Sequence, residues 1–200
     1  SSSLPFVIGW DSSTHYFLTI KEIIENNYFR SGIYPYLTEL VLGGIGKLVG
    51  FEATPTILLM SGVLVFLYGL QRWCQSLKIT KQLSSILIVT LFMIPAVQFQ
   101  FLRDIKLDIL LTGIILLGVT AWYEKKYIKA AIFIGISPLI KITTLWFLGC
   151  FGLFLLVLWI TKKDRKKIGL TLMILVIPLL CWGSWNIVRS DTKITTKNIV

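Results

Sequence analysis

The chain has few charged side chains and only one histidine, His15. Charged residues make up 15% of its 200 residues, whereas a soluble domain has about 25%. Apolar residues make up 55%, and the mean hydropathy is +0.77. Together these values exclude an ordinary soluble enzyme, and they exclude a disordered chain, which needs low hydrophobicity and high charge.

Cysteines are also few, and none forms a Cys-x-x-Cys pair. With a single histidine, the sequence therefore lacks the usual zinc and redox motifs. Cys74, Cys150 and Cys181 lie in or beside apolar runs, so we expect them to be small buried apolar side chains. No strand-period alternation of apolar and polar residues appears, which favours helices throughout.

Five apolar runs approach or reach the roughly 20 residues that cross a membrane as a helix. They cover 55–73, 83–101, 109–123, 128–160 and 168–187. As one helix, the fourth run would be roughly 50 Å long, too long for a single untilted span. By length alone it fits either one tilted helix or two short helices, with Pro138 and Lys141 as interruptions.

Basic residues decide between these alternatives through the positive-inside rule. Eleven of the twenty lysines and arginines lie in three segments, 72–82, 123–129 and 161–167. All three segments share one side only if 128–160 crosses twice, with a turn at 137–144. We therefore predict an all-α, polytopic helical membrane protein with about six membrane passes, two of them short or broken. The net charge of +10 then reflects topology and contact with anionic membrane lipids, and it needs no nucleic acid partner.

The first 54 residues differ from the rest because they contain two helical patterns too polar or too short to span. Apolar side chains recur at helical spacing between Tyr16 and Tyr28, and a second pattern runs from Tyr36 to Val49. We predict that both are amphipathic interfacial helices in the first outer loop. The predicted domains are an outer loop at 1–54, a transmembrane domain at 55–188 and an outer tail at 189–200. We expect the chain to be truncated, the N-terminal part of a larger protein.

A smaller group of charges falls on the predicted outer side. Arg103, Lys106 and Asp108 lie before a span, and Lys141 lies inside the long apolar run. Charges at membrane depth are costly, so they indicate functional sites. This group suits the binding of an anionic lipid headgroup beside acid–base chemistry.

Five stretches in sequence order carry a resemblance to a known family. They are Gly9-Trp10-Asp11 with His15-Tyr16, Tyr34-Pro35-Tyr36-Leu37 with Gly43 to Phe51, Arg103 to Asp108, Gly135 to Lys141, and Trp182 to Asn186. The set resembles the N-terminal half of the multi-pass GT-C class glycosyltransferases, which use polyprenyl-phosphate sugars. In particular it resembles the protein O-mannosyltransferase and aminoarabinose-transferase branch. Ser12 stands where that branch has a second acid, and Tyr36 stands where it has a second proline.

The resemblance implies an inverting transfer of a sugar from a polyprenyl-phosphate donor to an acceptor hydroxyl. The acceptor would be a protein, a lipid or a glycan, on the non-cytoplasmic side of the plasma (inner) membrane. It implies that Asp11 is the catalytic base and that Arg103 and Lys141 stabilise the leaving phosphate. The full substrate-binding set is Arg103, Lys106, Asp108, Lys141, His15 and Tyr34. We assign no metal ligands and no required cofactor, and a divalent cation stays open.

Each of these side chains also has a plainer interpretation. Asp11 could cap the helix that follows it, since aspartate is among the best N-cap residues. Lys141 could extend to the membrane interface, and His15 could pack without binding anything. Arg103 and Lys106 could pair with Asp104 and Asp108 on the surface, although exposed pairs contribute only about 0–1 kcal/mol. Asp108 could also cap the helix that starts at Ile109.

Two other functions remain alternatives to a transferase. A membrane transporter or flippase also has broken helices, but it predicts an inverted repeat, which the sequence does not show. A non-catalytic membrane scaffold derived from a transferase would explain Ser12.

Overall fold

A computed structural model describes residues 17–26, 37–98, 107–161 and 165–196, with side chains except at 96, 98 and 185–196. All the elements in these ranges are helices. They are α1 (Phe17–Asn26), α2 (Leu37–Val49), α3 (Thr54–Ser76), α4 (Lys81–Met93), α5 (Pro95–Gln98), α6 (Leu107–Tyr123), α7 (Tyr127–Ile140), α8 (Leu145–Thr161) and α9 (Arg165–Thr196). Short 3-10 helices at Phe51–Ala53 and Ile142–Thr144 lead into α3 and α8.

Glycines allow α3 and α6 to pack with their backbones in contact. A Cβ added to Gly113 would lie 2.6 Å from the backbone nitrogen of Phe66, and one added to Gly69 would lie 2.9 Å from the carbonyl oxygen of Gly113. Further toward the start of both helices, Gly62 faces Leu110. Residues later in α3 therefore contact residues later in α6, so the two helices are parallel.

Helix α7 packs between α6 and α9. A Cβ on Gly118 of α6 would meet Ile134 at 2.6 Å, and one on Gly135 would meet the carbonyl oxygen of Leu175 at 2.9 Å. The turn at 124–126 makes α6 and α7 antiparallel neighbours. Helices α8 and α9 pair at their connected ends, where Trp159 lies against Gly169.

The long apolar run at 128–160 is divided into α7 and α8, which confirms the predicted interruption at 137–144. Pro138 has no N–H to donate to the carbonyl of Ile134, and the hydroxyl of Ser137 donates to that carbonyl at 2.7 Å instead. Helix α7 then ends at Ile140, and Lys141 has an extended backbone with φ of −149°. The chain re-enters helical structure at Ile142.

Three helical segments of the described chain are long and apolar enough to cross a membrane. They are Phe51–Ser76, Ile142–Thr161 and Arg165–Ser184, and shorter apolar helices lie at Lys81–Met93, Leu107–Tyr123 and Tyr127–Ile140. The all-helical, apolar part of the fold prediction is therefore confirmed for these residues. Helix α9 continues through Pro178 as far as Thr196, into the segment predicted as an outer tail.

The prediction that the cysteines are buried is confirmed for one of the three. Cys74 is buried, but Cys150 and Cys181 are exposed. They lie on α8 and α9, whose outward faces also expose large apolar side chains such as Leu153 and Leu180. The prediction failed at these two positions because an apolar run supplies side chains to both faces of a helix, and only one face packs against neighbours.

Helices α1 and α2 pack over one end of α3, α6 and α7. The predicted apolar face of α1 is confirmed, with Ile20 fully buried. Ile23 and Ile24 of α1 lie directly over Gly43 and Gly46 of α2. A single core cluster joins these helices to the bundle, and its buried members are Phe17, Ile20, Leu42, Leu58, Leu107, Leu111 and Ile140.

Candidate functional site

An ion pair joins the start of α6 to the end of α7. Lys141 Nζ lies 2.6 Å from Asp108 Oδ1, although 33 residues separate them in sequence. Both residues were predicted to bind substrate. They adjoin Leu107 and Ile140, which are buried in the core cluster beneath α1 and α2.

Local structure fixes the position of both charged side chains. Asp108 lies in the first turn of α6, where the helix dipole stabilises a negative charge. Lys141 follows the last residue of α7, and its N–H donates to the Ser137 carbonyl at 3.1 Å. Its own carbonyl accepts hydrogen bonds from the N–H and the hydroxyl of Thr144, at 3.1 and 2.8 Å. The break in the long apolar run thus turns the lysine toward α6.

The pair is accessible to a ligand. The side chain of Lys141 is 24% exposed and that of Asp108 is 42% exposed. An ammonium group has three N–H donors, and the described residues supply one acceptor, Asp108. This lysine can therefore also donate to an oxygen of a bound anion, while the carboxylate of Asp108 holds it in place.

Glu39 is a second ionisable group near this end of the bundle, and it is not among the site residues predicted from the sequence. Its side chain is only 2% exposed, and its Oε2 has no hydrogen-bond partner among the described residues. Burial raises the pKa of Glu39 from 4.5 to about 7, opposed by a hydrogen bond to its own backbone. Glu39 shares a helix face with Leu42, Gly43 and Gly46, all buried in α2. The helical spacing of these residues is the sequence signal that could have predicted the burial of Glu39.

The opposite end of the bundle holds a different charged cluster. Glu124, in the turn between α6 and α7, accepts a 2.6 Å hydrogen bond from Arg72 of α3 and a second from Lys126. The hydrogen bond from Lys126, and then the charges of Arg72, Lys126 and Lys129, hold the pKa of Glu124 below its usual value. We call Arg72, Glu124, Lys126 and Lys129 the basic-end cluster.

Five of the predicted site residues lie outside the described residues, so their positions relative to the ion pair stay predictions. They are Asp11, His15, Tyr34, Arg103 and Lys106. Within the part of the chain that the structure describes, Asp108 and Lys141 are in contact, and their role in binding substrate stays a prediction. No group of three or more His, Cys, Asp or Glu side chains that could hold a metal ion occurs in that part.

In the residues that the structure describes, these features define a helical bundle with several apolar helices suited to a membrane and an ion pair at one end. No protein-family model, curated protein sequence or solved structure matches the chain.

Proposed function

We propose that the protein is an inverting membrane glycosyltransferase. It would transfer a sugar from a polyprenyl-phosphate donor to an acceptor hydroxyl on the non-cytoplasmic face of the plasma (inner) membrane. The observation that carries the proposal is the contact between Lys141 and Asp108, two residues of the substrate-binding set deduced from the family resemblance.

The arrangement of the helices supports six passes and a non-cytoplasmic site. Because α3 and α6 are parallel, the chain between them returns, and α4 lies on that return path. Helices α7, α8 and α9 would then cross the membrane in alternating directions. By the positive-inside rule, the basic-end cluster would lie at the cytoplasmic end. Asp108 and Lys141 lie at the other end of α6 and α7 and would therefore face the non-cytoplasmic side.

Three of the six helices, α4, α6 and α7, are shorter than the roughly 20 residues that cross a bilayer. A helix of 13 residues such as α4 extends about 20 Å, and the hydrocarbon core is about 30 Å thick. Bilayer thinning or the adjoining segment α5 would close that gap. The sequence predicted that the two halves of the 128–160 run would be the short passes, and of these only α7 is among the short helices.

In this proposal Lys141 stabilises the negative charge that develops on the departing lipid phosphate. Because that charge is larger in the transition state than in the ground state, a cation already in position lowers the activation barrier. Asp108 is a positioning residue that holds the lysine. Asp11 is the proposed base, a role that typically contributes about 10²–10⁴-fold. Arg103 and Lys106 would add positive charge near the same phosphate, and His15 and Tyr34 would contact the donor or the acceptor.

The proposal is tested with the full chain reconstituted in vesicles. The probe is polyprenyl-phosphate mannose with a labelled sugar, and transfer to added peptide, lipid and glycan acceptors is measured. We expect Lys141→Ala to lower kcat/KM by about 100-fold or more, and Lys141→Arg to retain part of the activity.

Lys21→Ala is the matched control, because Lys21 is an exposed lysine of α1 whose ion pair with Glu25, at 3.8 Å, lies on the surface. We expect it to keep the wild-type rate. Wild-type transfer no faster than in empty vesicles would contradict the proposed function. Equal rates for wild type and Lys141→Ala would contradict the role of the lysine.

A further inference from the structure

We propose that a cavity at the basic end of the bundle binds the phosphate group of an anionic phospholipid. The cavity lies between α3, α6 and α7 and has a volume of about 300 Å³. Arg72, Lys126 and Lys129 line it together with Glu124. It is separate from the Asp108–Lys141 pair, which lies at the other end of α6 and α7, and it does not depend on the proposed enzymatic activity.

The charges of the cavity favour an anion. Three cationic side chains face one carboxylate, which leaves an excess of two positive charges. Glu124 bridges Arg72 and Lys126, and this fixes two long side chains at the rim. Lys129 forms no ion pair within the described ranges, so its ammonium group is the one best placed to meet a phosphate oxygen directly. All three cations lie close enough to Glu124 to lower its pKa, in line with their position around one cavity.

The remaining walls favour a lipid over a free phosphate ion. Apolar and aromatic side chains also line the cavity, namely Leu117, Ile132, Phe133 and Tyr68. Ile132 and Tyr68 are exposed, with 43% and 57% of their surfaces accessible. An acyl chain could therefore leave the cavity along the apolar surface while the headgroup stays at the cations. Basic pockets between membrane helices on the cytoplasmic side are known to bind lipid phosphate groups in this way.

The test measures equilibrium binding of labelled phosphatidylglycerol to the purified full chain in nonionic detergent. Phosphatidylcholine and inorganic phosphate serve as competitors. We expect Lys126→Gln combined with Lys129→Gln to weaken binding by about 30-fold, since each lysine near an anionic headgroup contributes about one kcal/mol. The control combines Lys166→Gln with Lys167→Gln, which removes two charges from the same end but outside the cavity.

A second variant, Ile132→Trp, fills the apolar part of the cavity and leaves its charge unchanged. We expect it to weaken phosphatidylglycerol binding by about tenfold. Equal weakening by the cavity pair and the control pair would overturn the proposal in favour of general surface charge. Displacement by phosphatidylcholine as effectively as by unlabelled phosphatidylglycerol would overturn the requirement for an anion. Displacement by inorganic phosphate at equal concentration would overturn the lipid as the ligand.

Discussion

Replacing Glu39 by glutamine should remove a large pH-dependent component of the protein's stability. In the native state this carboxyl is buried and has a pKa of about 7, compared with 4.5 for an exposed glutamate. Glutamine has nearly the same shape and stays neutral at every pH. The variant therefore tests the burial of one charge without creating a cavity.

The folded protein binds the proton of Glu39 more tightly than the unfolded chain does, because its pKa is higher in the folded state. Between pH 4.5 and about 7 the folded protein keeps a proton that the unfolded chain releases, so raising the pH favours unfolding. The contribution of Glu39 to stability is fully present below pH 4.5 and is lost as the pH rises through 7. A pKa difference of this size corresponds to about 3 kcal/mol, so at pH 8 Glu39→Gln should be more stable than wild type by up to that amount.

The measurement is thermal unfolding in detergent at pH 5 and at pH 8, followed by circular dichroism. For a chain of this length the expected gain at pH 8 corresponds to a Tm increase of about 6–12 °C, with a much smaller difference at pH 5. Glu25→Gln is the matched control, because Glu25 is 56% exposed and carries an exposed ion pair. We expect the control to show no comparable pH trend.

The reasoning would be refuted if Glu39→Gln melted at or below the wild-type temperature at pH 8. It would also be refuted if the difference between variant and wild type did not change with pH. Either result would mean that the carboxylate is hydrated or paired in the folded protein, and that α2 does not bury it.

Other predictions concern helix packing and capping, and all are measured by thermal unfolding. Gly113→Ala should destabilise the protein by about 1–3 kcal/mol or more, because the new methyl group would meet the backbone of α3. Gly149 has open space around it, so Gly149→Ala should stabilise the protein by up to about 1 kcal/mol. Equal melting temperatures for these two variants would contradict the close contact of α3 and α6. Thr80→Ala should lower the free energy of unfolding by about 1 kcal/mol, because the Thr80 hydroxyl accepts a hydrogen bond from the Leu83 N–H at the start of α4. An unchanged Tm would show that this cap contributes nothing.

Helix positions were largely predictable because apolar runs and helix-breaking residues are local signals. The division of the long run near Pro138 and Lys141 followed from one proline, one lysine and the sides of the basic segments. Helix α1 followed from the spacing of residues such as Ile20 and Ile23, both buried as expected. Helix ends were less predictable. Helix α9 continues through Pro178 to Thr196, and no sequence signal predicted that end.

Side-chain environments were less predictable, because they depend on which helices become neighbours. Asp108 and Lys141 were each selected as charges near an apolar run, and only the antiparallel packing of α6 on α7 brings them within 2.6 Å. Glu39 was missed because its burial requires the glycine face of α2 to lie under α1. The pairing of Arg72 with Glu124 likewise needs the parallel arrangement of α3 and α6.

If the Asp108–Lys141 pair binds a lipid phosphate, the loss of Lys141 should raise the Kd for undecaprenyl phosphate. Wild type, Lys141→Ala and the control Lys21→Ala are compared as purified full chains in nonionic detergent. We expect Lys141→Ala to weaken binding by about tenfold or more, because a charge-assisted hydrogen bond is lost, and Lys21→Ala to leave the Kd unchanged. Equal affinities for Lys141→Ala and wild type would show that the pair does not bind the lipid phosphate.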